Sequence, residues 1–387
     1  MGRREAAFGE PLWKNVDRTM VLSIFTSVLF LSLLGLVLAG LLVFAEKRIL
    51  NYGPCAIDIN GGEKQLNVTG GSSLLSLLGE NEIFIPSACG GRGSCAYCKV
   101  TVKEGGGSIG PVEEPYLTNE ERERGVRLSC QVKVKDDLKI EVPRELFSVK
   151  RFRATVERKR KLTHDIVEVR LALIEPPRME FTAGQYVQLE SDEYEGHDSV
   201  MRAYSVSSPP SDPEHIELII RLVPNGICTT WVFEHVKQQQ EVSLSGPYGD
   251  FHLSGTDTPI IFIAGGSGMA PIWSILRDMI DKGITNRKAS YFFGALTRRD
   301  LFYVDELNDL AREHDWFEFI PALSNEPEDS DWQGERGLIT DVVGRHFPDT
   351  SKHEAYLCGS PGMIDACLKV LGAGGMPDTN IFYDKFA

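Results

Sequence analysis

The chain has 387 residues, a length that at about 100–200 residues per domain implies several domains rather than one. Its 55 Asp and Glu outnumber 41 Lys and Arg, and the formal charge of −14 argues against the basic face that nucleic-acid binding usually needs, so no nucleic-acid partner is expected. Eight cysteines are too few for a disulfide-dense secreted scaffold, and 42% hydrophobic with 25% charged residues is an ordinary globular composition.

The first predicted element is an anchor. Behind an N-terminal tail (1–18), Thr19 to Ala45 holds 27 residues without a charge, apolar on every face through Phe25, Leu29, Leu33, Leu36, Leu41 and Phe44. About 20 such residues span a bilayer as a helix. A cleaved signal peptide is the competing reading, but its apolar stretch is only about 7–15 residues. A membrane-spanning helix over 19–45 is therefore expected. Four basic residues precede the run (Arg3, Arg4, Lys14, Arg18) and three follow it (Lys47, Arg48, Lys64), a weak lean toward a cytoplasmic N-terminus.

Residues 46–146 form the next expected unit. Ala56–Ile59 and Leu66–Val68 read as strands around a tight Asn60-Gly61-Gly62 turn, and Ser73 can cap a short helix that Gly79 stops. Four cysteines then group as C-x5-C-x2-C…C: Cys89, Cys95, Cys98 and, after a gap of 31 residues, Cys130. Two thiolates two residues apart can meet one iron, and a glycine-rich loop can wrap its N–H groups around sulfides. Plant-type [2Fe–2S] proteins use C-x4-C-x2-C…C, one residue shorter in the first gap. Structural zinc is the alternative, although its ligands usually pair as CxxC…CxxC. These features resemble the β-grasp domain of ferredoxins. Cys55, Cys228, Cys358 and Cys367 show no ligand spacing.

Residues 147–256 alternate polar and apolar, as in Val167–Leu171 and Gln185–Leu189, and predict an antiparallel barrel. Arg202-Ala203-Tyr204-Ser205 follows and resembles the Arg-x-Tyr-Ser flavin motif of the ferredoxin–NADP reductase superfamily. There Arg202 would grip a pyrophosphate, Tyr204 would offer a flat face to the isoalloxazine, and Ser205 would bond a ring heteroatom. Gly226, Thr229 and Thr230 place a glycine turn and hydroxyls where a helix should begin, a setting suited to an anion. Gly246-Pro-Tyr-Gly249-Asp-Phe251 looks like the superfamily's barrel-closing loop.

Residues 257–387 open with an apolar strand, Pro259–Ala264, then Gly265-Gly266-Ser267-Gly268-Met269 and a helix over Ile272–Ile280, the order of a dinucleotide-binding crossover. Strands at Ala289–Gly294, Phe317–Ala322 and Ala355–Cys358 extend an α/β domain. In the superfamily a cysteine at the position of Cys358 lies near the nicotinamide, and a C-terminal aromatic such as Phe386 covers the flavin. Both also read as packing residues. After the second strand come Thr297, Arg298, Arg299, Asp300 and Tyr303. Superfamily members that use NADPH place Ser, Arg and often Tyr around the extra phosphate, but Asp300 would repel it, so NADH is expected.

The order anchor, [2Fe–2S] domain, FAD barrel, NADH domain resembles the F-subunit family of the bacterial sodium-translocating NADH:quinone oxidoreductases over nearly the whole chain. The resemblance implies a fold of one transmembrane helix, a β-grasp domain, an antiparallel β-barrel and an α/β domain. It implies electron entry from NADH through FAD and the cluster to the membrane subunits of a respiratory complex that reduces ubiquinone. NADH yields two electrons at once, the flavin holds both and the cluster takes one. Asp384 and His164 read as structural. One departure is the 12-residue segment between Leu189 and Arg202, where the family carries a long insertion. Alternatives are a tethered reductase feeding an oxygenase or another membrane redox partner, and a zinc-stabilised adaptor. NADH is cytoplasmic, so residues from Lys47 onward are expected on the cytoplasmic side of the bacterial inner membrane, against the charge count.

Overall fold

The computed structural model describes residues 18–49, 52–87 and 89–386. The expected tail therefore lies outside the described residues apart from Arg18, as does Ala387. The charge-free run folds into one helix, α1 (Arg18–Ile49), of 32 residues and, at 1.5 Å per residue, roughly 48 Å long. It outruns the apolar stretch because Glu46, Lys47 and Arg48 are good helix formers. Every side chain from Leu22 to Gly40 is exposed. An exposed apolar cylinder of that length matches the ~30 Å hydrocarbon core of a bilayer.

The first sheet has the order β2-β1-β5-β3-β4. Its strands are β1 (Pro54–Ile59), β2 (Lys64–Thr69), β3 (Lys99–Glu104), β4 (Val126–Leu128) and β5 (Leu138–Glu141). Alternation drives it: Cys55, Ile57 and Ile59 of β1 and Leu66 and Val68 of β2 point inward while their neighbours face water. β5 runs parallel to β1 and the remaining pairs are antiparallel. Helix α2 (Leu74–Glu80) buries Leu74, Leu77 and Leu78, and Ser73 caps it by accepting from Ser76 N. It does not stop at Gly79 as expected. Asn81 ends it instead, because its side-chain amide donates to Leu77 O at 2.8 Å and satisfies a terminal carbonyl. A short α3 (Asn119–Glu123) precedes β4, and its Thr118 and Glu121 form a capping box.

The second sheet is a six-stranded antiparallel barrel ordered β10-β7-β6-β11-β8-β9. It comprises β6 (Lys150–Lys161), β7 (Ile166–Glu175), β8 (Tyr186–Glu190), β9 (Met201–Ser205), β10 (His215–Arg221) and β11 (Glu241–Tyr248). A Val206–Leu218 bridge joins its two ends. Phe152, Val156, Val169, Leu189, Leu218 and Leu244 fill the interior. A short α4 (Ile227–Thr230) follows β10.

The third sheet is wholly parallel, ordered β15-β14-β13-β12-β16-β17. Its elements are β12 (Ile260–Gly265), α5 (Met269–Asp281), β13 (Ala289–Ala295), α6 (Val304–Glu313), β14 (Phe317–Leu323), β15 (Glu335–Arg336), α7 (Ile339–His346), β16 (Glu354–Gly359), α8 (Pro361–Ala373) and β17 (Ile381–Lys385). Helices on both faces leave β12 and β16 buried along nearly their whole length, as continuous apolar strands require. Polar contacts fix this sheet to the barrel. Glu217 of β10 accepts from Arg170 at 2.8 Å and from Arg277 of α5 at 2.7 Å. Ser274 donates to Ser208 O at 2.7 Å, and the Tyr303 hydroxyl donates to buried Glu168.

Candidate functional site

Three regions meet where the three sheet-bearing units touch. The first runs from Cys89 to Cys98. Gly90, Gly91 and Gly93 have φ of 64°, 85° and 78°, and Ala96, with a side chain, has φ 60°. These left-handed residues fold the loop back on itself. By spacing alone Cys95 and Cys98, two residues apart, can meet one iron. Instead the backfold puts Cys95 on Cys89, with sulfurs 3.4 Å apart, while Cys98 hydrogen-bonds Cys130. Four thiols as two pairs suit a binuclear cluster with two ligands per iron. Structural zinc needs four ligands around one point, and among the described residues no three His, Cys, Asp or Glu side chains converge on one.

One thiol of each pair is poised to ionise, the form that binds metal. Burial pushes Cys89 upward, but N–H groups of Ser94 and Cys95 and the Cys95 thiol outweigh it and hold Cys89 down at about 6. The Cys98 hydrogen bond, against burial, holds Cys130 at about 7, and Gln131 Nε2 also donates to its sulfur at 3.3 Å. Cys95, raised by burial, and Cys98, raised first by its bond to Cys130, keep their protons.

The second region is strand β9, which carries the expected flavin motif. Arg202 donates to Met201 O at 2.7 Å, and no carboxylate pairs with it among the described residues, so its guanidinium fits the role of a pyrophosphate grip. Tyr204 buries its hydroxyl beside the Cys228 thiol and leaves part of its ring accessible. Ser205 is buried opposite Tyr186 in the β8–β9 register. Gly226 precedes α4. The Thr229 hydroxyl turns inward, accepting from Val223 N at 3.2 Å and bonding Gly226 O at 3.2 Å, so it holds its own turn together. The Thr230 hydroxyl lies beside that of Tyr194, which donates to Ile227 O at 2.7 Å. Gly249, at φ 94°, packs on the Tyr186 ring, which an added Cβ would meet at 3.0 Å.

The third region is the carboxyl edge of the parallel sheet, where doubly wound folds bind ligands. Gly265 ends β12, and an added Cβ there would meet Met363 Sδ at 3.2 Å. Gly266 turns the chain at φ 56°, with Arg221 of the barrel 3.5 Å from where its Cβ would be. Gly268 lets the turn pack directly on Cys358 O. Met269, expected among the dinucleotide contacts, is fully buried, so its side chain belongs to the core behind the turn. Cys358 is fully buried and sits opposite Asp384 in the β16–β17 register; burial and that carboxylate push its thiol far up. Phe386 packs against the core of this unit, and its N–H donates to Gly359 O at 2.9 Å. His164 touches Arg299 and lies 3.5 Å from Asp300.

The cluster loop is wedged between the other two regions. An added Cβ on Gly90 would stand 2.6 Å from Arg202 Nη1 and 3.2 Å from Met201 O, so the loop lies directly on β9. Tyr97 meets Tyr186 with its ring tilted by 48° and centroids 6.5 Å apart, and Tyr186 stacks on Tyr248 at 5.4 Å. The Tyr97 hydroxyl faces half-buried Asp384; burial, aided by that carboxylate, pushes Tyr97 up to about 12, so it keeps its proton. Local sequence marks neither Tyr97, which reads as loop filler, nor Asp384, which reads as structural, since only tertiary packing joins them. Leu296 and Leu338, exposed by 58% and 61% at the sheet's carboxyl edge, also escape a motif search. Apolar side chains just past strand ends, where loops are usually polar, are the signal that could have found them.

Three family models match in order: a 2Fe-2S iron-sulfur cluster binding domain over residues 57–135, an oxidoreductase FAD-binding domain over 153–253 and an oxidoreductase NAD-binding domain over 262–369. The chain is 35% identical to the F subunit of the Na(+)-translocating NADH-quinone reductase of Klebsiella pneumoniae, across 94% of this chain and 100% of that protein. The corresponding F subunit of Neisseria meningitidis matches at the same identity and coverage. Among solved structures, an Amycolatopsis cytochrome P450 reductase aligns with TM-score 0.70 at 28% identity, covering 86% of this chain and 98% of that one. A ferredoxin reductase of carbazole 1,9a-dioxygenase aligns with TM-score 0.67 at 30% identity and the same coverage.

Proposed function

Because the chain belongs to the F-subunit family of Na(+)-translocating NADH-quinone reductases, we propose that it is the electron-input subunit of a membrane NADH:quinone oxidoreductase. Its coarser identity is a flavin- and 2Fe-2S-dependent NAD(P)H oxidoreductase. NADH is the donor and the acceptor is a membrane subunit of the complex.

The observation that carries this reading is the cluster loop lying on the flavin strand, Gly90 against Arg202, with Tyr97 bridging to Tyr186 and Asp384. Such contact gives electrons a short route out of the chain by way of the first soluble unit, the one that follows α1 within a few residues. When bound, the flavin supplies acceptance of a hydride and the cluster supplies one-electron transfer. The residues hold and position these groups. Cys89, Cys95, Cys98 and Cys130 would hold the cluster, as the two thiol pairs Cys89–Cys95 and Cys98–Cys130. Arg202 grips the pyrophosphate, Tyr204 and Ser205 meet the ring system, and Gly226 with Thr230 shapes the turn beside it. The Gly265–Gly268 turn admits the dinucleotide, Cys358 backs the nicotinamide end and Phe386 closes it. No residue need act as acid, base or nucleophile. Helix α1 anchors the chain in the bacterial inner membrane, with the soluble units in the cytoplasm where NADH is found.

A second reading, a tethered reductase serving an oxygenase, is favoured by the two solved reductases that align over 86% of this chain. Purification from the native membrane in mild detergent separates the two. Co-purifying integral membrane subunits with NADH:quinone activity support the first reading, and a co-purifying oxygenase overturns it.

A further inference from the structure

Nucleotide choice in this chain can be traced to particular side chains. In a doubly wound sheet the adenosine ribose lies at the carboxyl end of the strand after the glycine-rich crossover, where a nearby Arg accommodates a 2′-phosphate. Here that strand is β13, ending at Ala295, and residues suited to a phosphate follow it: Thr297, Arg298, Arg299 and Tyr303. Each is engaged elsewhere. The Thr297 N–H and hydroxyl donate to Asp300 at 2.9 and 2.8 Å. Arg299 meets His164 Nε2 at 3.1 Å and lies 3.7 Å from Asp300. Tyr303 is buried, bonded to Glu168 and stacked on Trp273 with centroids 5.5 Å apart.

Arg298 is the most tightly held. Its Nε pairs with Glu326 at 3.1 Å, its Nη2 with Asp331 at 2.5 Å, and its backbone N–H donates to the other Glu326 oxygen at 3.1 Å. Its guanidinium lies 5.6 Å from the Trp332 ring centroid. The Glu326 side chain is only 9% exposed, which shields that pair from water and salt. The segment carrying both acids is itself fixed. Arg336 donates to the carbonyls of Glu326, Pro327, Ser330 and Trp332, and Trp332 Nε1 donates to Glu335 O at 3.0 Å.

We propose that Glu326 and Asp331 make the dinucleotide site selective against a 2′-phosphate by holding Arg298 in a closed ion-pair cluster. This rests on the NADH reading above and names the residues behind it. A 2′-phosphate meets two carboxylates where a phosphate reader would offer a free guanidinium. To recruit Arg298 it must strip the guanidinium from a nearly buried Glu326 carboxylate, which is strongly unfavourable. A plain 2′-hydroxyl asks for no such break.

The test is calorimetric titration of the full-length protein in mild detergent with ADP-ribose and with 2′-phospho-ADP-ribose, ligands that need no hydride transfer. Wild type is expected to bind ADP-ribose more tightly by at least about 10-fold, the worth of one charge-assisted hydrogen bond. In Glu326→Gln/Asp331→Asn that preference falls about 10-fold, and adding Arg298→Ala restores it. Asp331→Asn alone, at a site 90% exposed and safe for folding, shifts the preference in the same direction by a smaller factor. An unchanged preference in both variants, or a shift that survives loss of Arg298, overturns the proposal. Equal binding of the two ligands by wild type defeats the NADH reading itself.

Discussion

Gly268→Ala isolates a single close approach in the nucleotide domain. Gly268 has ordinary helical angles, φ −60° and ψ −12°, so alanine meets no backbone strain there. Its Cβ would nonetheless stand 2.2 Å from Cys358 O, 2.6 Å from Cys358 C and 3.0 Å from Gly359 N. Favourable heavy-atom contacts lie at about 3.5–4.0 Å, so the turn must withdraw from β16 by roughly 1 Å. All three atoms are backbone of a strand hydrogen-bonded on both sides, so the partner cannot yield. The expected cost is about 3 kcal/mol, the upper part of the overpacking range, which lowers the melting temperature of this domain by roughly 10 °C. Scanning calorimetry of the full chain in detergent measures it. Gly266→Ala is the control. Its φ is 56° and the nearest atom is Arg221 Nη1 at 3.5 Å, so backbone strain alone costs about 1 kcal/mol. A Gly268→Ala protein that melts with wild type, or a larger loss at Gly266, refutes the steric argument.

Cys95→Ala should abolish the cluster's EPR signal yet leave NADH-driven reduction of a dye that takes electrons from the flavin; a retained signal removes Cys95 from the ligand set. Tyr97→Phe keeps the ring against Tyr186 and deletes only the hydroxyl that faces Asp384. Stopped-flow absorbance should show cluster reduction slowed about 10-fold with the hydride step unchanged, and equal slowing of both steps counts against a docking role. Glu354 is buried with Arg287 at 2.7 Å, and Glu354→Gln should cost about 3–5 kcal/mol by stranding that arginine. Burial alone would raise Glu354, but bonds from Ser254, Thr256 and Arg287 hold it below the usual glutamate value. A depressed carboxylate stabilises the fold fully above its unfolded value of about 4.3 and loses that contribution as pH falls through the folded value. Wild-type melting should therefore drop more steeply below about pH 4.3 than that of Glu354→Gln; parallel profiles would exclude the pair as the cause.

Much of the architecture was legible because it is written in local periods. The apolar run encodes α1, alternation encodes β1, β2, β7 and β8, and the buried strand before Gly265 marks the parallel sheet. Cysteine spacing named four thiols but not their pairing, since the backfold depends on Gly90, Gly91, Gly93 and left-handed Ala96. Motifs mark positions and not side-chain directions, which is why Met269 lies in the core and the Thr229 hydroxyl bonds its own turn. The approach of Tyr97 to Asp384 and the enclosure of Arg298 join residues 287 and 28 positions apart along the chain. No local pattern encodes either.

Everything proposed for this protein requires that electrons from NADH reach the cluster inside this one chain. Anaerobic addition of NADH to the purified full-length protein, followed by absorbance and EPR, measures that transfer. The flavin band should bleach first, and the signal of a reduced [2Fe–2S] cluster should follow. A flavin that bleaches while the cluster stays oxidised, or a protein with neither flavin nor iron–sulfur absorbance, would contradict it.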